Sequence, residues 1–151
     1  MKRHLLDQEA PGLATRLRSL PPEGQRKLFA AGVLFTAENL GDLSKTTSEV
    51  LDELRAQREL SRERAKFIME LSEMADDRYL LLLQQGSPED EWTKLFCEAR
   101  LLRGIAVAFG ASPGEDIADA FYELIKAVED PRETLRLIQS ELDADPKLSS
   151  L

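Results

Sequence analysis

The amino-acid sequence predicts an all-α protein, a single-domain bundle of six to eight helices. Three observations predict it. Apolar residues recur at three- and four-residue spacing along most of the 151 positions, the period of a helix with one buried face. Helix starts and stops are marked by cap residues, prolines and glycines. The one run short and apolar enough for a buried strand, Tyr79 to Leu83, is leucine-rich and lacks β-branched residues, so helix is the better reading.

The best-marked element is Pro88 to Phe109, about 33 Å long at 1.5 Å per residue. Ser87 is a suitable N-cap, Pro88 suits the first helical position, and Glu89, Asp90 and Glu91 complement the positive end of the helix dipole. Gly110 can end the helix in a left-handed turn. Trp92, Leu95, Phe96, Ala99, Leu102, Ala106 and Phe109 form one apolar stripe, and Cys97, Leu101, Ile105 and Ala108 form a second. A helix apolar on two sides has to be enclosed. It is therefore expected at the centre, walled in by other helices or by a second copy of the chain.

The remaining elements follow in order. Leu13, Leu17 and Leu20 place one short helix between Asp7 and Leu20, with Pro11 suited to its first position and Pro21-Pro22 ending it. Pro22 to Leu40 carries Leu28, Phe29, Val33 and Phe35; Gly41 stops it, and Gly32 would let another backbone come close. Thr46 and Glu49 match a capping box ahead of Val50, Leu51 and Leu54. Charged residues then dominate Glu53 to Lys66, and the apolar phase resumes at Phe67, Ile68, Leu71, Met74 and Ala75, in step with Leu60 but not with Leu54. The helix either shifts its contact face near Arg58 or breaks at Ser61, and a continuous or slightly kinked helix with an exposed middle is preferred. Asp76-Asp77 could cap a further turn. Ser112-Pro113-Gly114-Glu115 and Asp130-Pro131-Arg132-Glu133 start the last two helices, carrying Ile117, Phe121, Leu124, Ile125 and Val128, then Leu135, Ile138 and Leu142. Residues 1–151 read as one domain, frayed at about 1–6 and 143–151.

A chain of this length can bury a core without metal or disulfide. Cys97 is its only cysteine; it reads as a small buried hydrophobe in a reducing compartment. Met1-Lys2-Arg3 is followed by too few apolar residues for a signal peptide, and no charge-free run approaches a membrane span, so a cytoplasmic location is expected. The formal charge of -8 opposes non-specific binding to nucleic acid or anionic lipid.

The chemistry available is narrow. His4 is the sole histidine and lies in a segment read as mobile, which sets aside triads and histidine-ligated metals. Glu-x-x-His pairs and a phosphate-binding glycine loop are missing. Glu70, Glu73 and Asp77 share a helical face and could hold magnesium, with Glu49, Asp52 and Glu53 earlier; as Glu70 and Glu73 point away from Phe67, Leu71 and Met74, a solvated face is the plainer reading. Arg55, Arg58, Arg62 and Lys66 make a row suited to phosphates or a partner, although Glu59 and Glu63 within a turn favour local ion pairs. Arg100 and Arg103 lie in the enclosed half of the central helix, where each must reach solvent, pair with a carboxylate or bind an anion. No catalytic, cofactor or metal residue is assigned. The expected function is a non-enzymatic protein-interaction module, whether accessory subunit, adaptor, immunity-type inhibitor or homodimer, acting through a helical surface. Two other readings are a small helical subunit of a nucleoprotein complex and a magnesium-dependent all-α nucleotide pyrophosphohydrolase.

Overall fold

The structure, a computed structural model, describes residues 4–57 and 59–144. Eight helices build these residues into a single-domain bundle without strands. They are α1 (Leu6–Glu9), α2 (Leu13–Arg18), α3 (Pro22–Leu40), α4 (Lys45–Arg55), α5 (Arg62–Gln84), α6 (Glu89–Ala108), α7 (Ile117–Lys126) and α8 (Arg132–Ala144). None of them is long and apolar enough to cross a membrane.

Several boundaries differ from those read in the sequence, each for a local reason. The first expected helix is two, because Gly12 adopts a φ of 81° between Pro11 and Leu13 and turns the chain. The start of the chain is anchored from residue 4, not frayed to residue 6: Leu6 is fully buried, and His4 docks on α7. Ser44, not Thr46, caps α4 by accepting the Thr47 N–H. Asp116, not Ser112, opens α7, in a reciprocal capping box with Asp119. Pro88 takes the cap position of α6 in place of Ser87.

The largest correction falls between Glu53 and Lys66. The chain leaves the helix after Arg55, passes through Gln57 at a φ of 56°, and starts a new helix where the Ser61 hydroxyl accepts the Arg64 N–H. Arg58, where a shift of contact face was expected, lies outside the described residues. Asp76-Asp77 caps nothing, since α5 runs through to Gln84.

The core is centred on α3, α7 and the second half of α6. Phe29 of α3 and Phe121 of α7 meet edge to face with centroids 5.2 Å apart, both fully buried; each such burial contributes about 1.5–3 kcal/mol. The close backbone approach occurs at Gly104 of α6, where a Cβ would stand 3.1 Å from the Ala120 carbonyl oxygen and 3.1 Å from Phe29 Cζ. At Gly32, expected to play that part, the nearest neighbour is instead the Leu124 side chain. Thr36 and Thr134 share a buried hydrogen bond between α3 and α8. Glu98, buried on α6, accepts the Ser44 N–H at 2.7 Å and so fixes the start of α4.

Candidate functional site

The central helix is enclosed over only half its length. Glu98, Ala99, Leu101, Leu102 and Gly104 to Val107 are buried, whereas Trp92, Leu95, Phe96 and Cys97 stay half-exposed. The reason is the partner. The first half of α6 lies against α5, and the two form a hairpin whose far end stands out from the core as an arm.

The arm is held together from inside. Ala65, Ile68 and Ser72 are the buried residues of α5, and the Ser72 hydroxyl donates to the Ala99 carbonyl at 2.9 Å. Farther out, Tyr79 packs on Phe96 and Trp92 with centroid distances of 5.4 and 5.8 Å, and Arg100 lies over the Phe96 ring. Cys97 sits half-buried in this hairpin; burial, helped by the Glu98 charge, pushes its thiol pKa up and keeps it unreactive.

This inner line of contacts sets which α5 side chains face water. At 100° per residue, Phe67, Leu71, Met74 and Leu81 fall within an arc of about 80°, which also holds the exposed Arg78, about a third of a turn round the helix from Ile68, Ser72 and Tyr79. Phe67, Met74 and Leu81 are accordingly 46, 61 and 53% exposed, and Leu71 is half-buried. Leu80 and Leu83 are exposed near the tip. Apart from Leu5, the strongly exposed large apolar side chains among the described residues all lie on α5. The sequence reading placed Phe67, Leu71 and Met74 on the contact face; the structure buries Ile68 and turns Phe67 and Met74 outward. Glu70 and Asp77 lie along one border of the exposed stripe.

The other sequence candidates are dispersed. Arg55 ends α4 and pairs with Asp52 at 2.8 Å; Arg62 begins α5, its Nε donating to the Gly110 carbonyl at 3.3 Å; Lys66 is exposed one turn on. The helix break prevents these residues from forming one row. Arg100 and Arg103 lie in an ion-pair ladder: Arg100 reaches Asp76 and Glu123, and Arg103 reaches Glu123 and Glu115. Glu70, Glu73 and Asp77 are not gathered into a ligand set.

One cluster that the sequence reading set aside does assemble. His4, Asp116 and Asp119 bring ligand atoms within 4.8 Å of one another, yet the donor pattern is wrong for a metal. His4 Nδ1 accepts the Leu6 N–H at 2.9 Å, which leaves Nε2 to carry the proton donated to Asp119 at 2.8 Å. A metal-bound imidazole offers a lone pair at one nitrogen and an N–H at the other. Here both nitrogens are already used, and the cluster is a tether for the start of the chain.

A groove of about 960 Å³ lies beside α3 and the α4–α5 connection, floored by Ala30, Ala31, Leu34, Leu54 and Phe109. Its rim cations are engaged: Arg26 with Glu59, Lys27 with Glu23 and Arg55 with Asp52. No anion-binding excess remains among the described residues there. Comparison with protein-family models, with curated proteins and with solved structures finds no match for this chain.

Proposed function

We propose that this chain is a non-enzymatic protein-interaction module that engages its partner through the outward face of α5. The observation that carries this reading is the exposure of Phe67, Met74 and Leu81 along one face of α5, on a hairpin whose tip also exposes Leu80 and Leu83 on other sides of the helix. Monomeric proteins scatter such residues singly; contiguous ones mark binding surfaces. A helix face with anchors at three-, four- and seven-residue spacing is suited to packing against another helix.

The test is a photo-crosslinking amino acid placed at position 74 on α5 or at exposed position 139 on α8, in native extract and in the purified chain. An adduct of defined mass is expected from position 74 and none from position 139. A strictly monomeric chain that yields no adduct at position 74 in either setting overturns the proposal.

A further inference from the structure

The charge around the α5 stripe points to the chemistry of its partner, an inference that rests on the reading of that face just given. From Glu70 to Glu91 the chain carries seven carboxylates and a single basic residue, Arg78, a local charge of -6 within a total of -8. Asp76 is neutralised by Arg100 at 2.5 Å. Glu70, Glu73, Asp77, Glu89, Asp90 and Glu91 form no ion pair among the described residues. Glu53, Glu115 and Glu123 each meet an arginine.

We infer that the arm binds an amphipathic helix with apolar anchors along one side and lysine or arginine beside them. Phe67 to Leu81 spans about 21 Å, four helical turns, which sets the length of the complementary face. The anchors would cover Phe67, Leu71, Met74 and Leu81, and the basic flank would lie along Glu70 and Asp77. A second copy of this chain fits less well, because the unpaired Glu70 and Asp77 beside each stripe would be brought against carboxylates of like charge. Like charges juxtaposed in this way disfavour the wrong partner, while a basic helix gains attraction from the same groups.

The experiment uses the full chain and three fluorescent helical peptides read by anisotropy: a leucine stripe with lysine flanks, the same stripe with glutamate flanks, and lysine flanks with serine in place of leucine. The leucine–lysine helix is expected to bind at least about tenfold more tightly than either control, and to weaken about tenfold between roughly 50 and 500 mM salt. Met74→Ser with Leu81→Ser should weaken it by a similar factor. Equal binding of the lysine- and glutamate-flanked helices, lost in the double variant, overturns the basic partner and keeps the stripe. Binding of lysine peptides that ignores the double variant overturns both readings. A dimer in sedimentation that the double variant dissolves replaces the basic helix by a second copy.

Discussion

Arg100 Nη1 donates to Glu123 Oε2 at 2.9 Å across the α6–α7 contact, while the other oxygen of the same carboxylate takes Arg103 Nε at 3.2 Å. One acidic side chain of α7 thus serves two cations of α6. Arg100 has little to spare, since its buried Nε has no acceptor among the described residues.

Glu123→Gln should therefore destabilise the fold by about 2 kcal/mol, below the figure for a fully buried pair because the arginines keep some contact with water. Urea denaturation would show a lower midpoint at unchanged slope. Glu115→Gln, which removes one partner of Arg103 only, should cost less than about 1 kcal/mol.

Glycine substitutions should separate two causes of strain. Gly104→Ala meets the Ala120 carbonyl and Phe29 at 3.1 Å and should cost about 1–3 kcal/mol by overpacking. Gly110→Ala meets nothing but must hold a φ of 91°, an expected cost of about 1 kcal/mol. Gly114→Ala faces neither constraint and should be neutral or slightly stabilising in a thermal melt.

The two faces of α5 should respond oppositely to truncation. Ile68→Ala, at a fully buried position, should lose about 2–4 kcal/mol. Met74→Ser and Leu81→Ser, at exposed positions, should stay within about 0.5 kcal/mol of the parent. Matched losses at Ile68 and Met74 in chemical denaturation would contradict the phase of the helix.

Acid sensitivity should be traceable to Asp119. Burial pushes its carboxyl up, but the hydrogen bonds from His4 and the Asp116 amide prevail and hold its pKa below the ordinary 3.8. A carboxylate depressed in the folded state contributes stability that is fully present above about pH 4 and is lost as the pH falls through the folded value. Asp119→Asn should accordingly flatten the loss of melting temperature below pH 4, and His4→Ala should shift the Asp119 carboxyl upfield–downfield transition in NMR to higher pH.

Much of the fold was legible from one sequence because its signals are local. Gly41 and Gly110 stop their helices with φ values of 80° and 91°, and the face of Ile117, Phe121, Leu124 and Ile125 is buried as its spacing requires. The site was not legible in the same way. On α5 two apolar stripes compete, and Phe67, Leu71 and Met74 form the longer-chained one; the α6 surface instead accepts the slimmer line of Ala65, Ile68 and Ser72. Ser72 wins a buried place through one hydrogen bond to Ala99, a tertiary partner that hydrophobic periodicity does not report. His4 was misjudged likewise, since its partners Leu6 and Asp119 lie 2 and 115 residues away.

The split along α6 gives the molecule a division of labour. Its second half is committed to the interior, where each side chain answers to several neighbours. The exposed positions of the α5 face, Met74 and Leu81, carry no such obligation, so recognition can be retuned there, one side chain at a time, without asking the scaffold to refold.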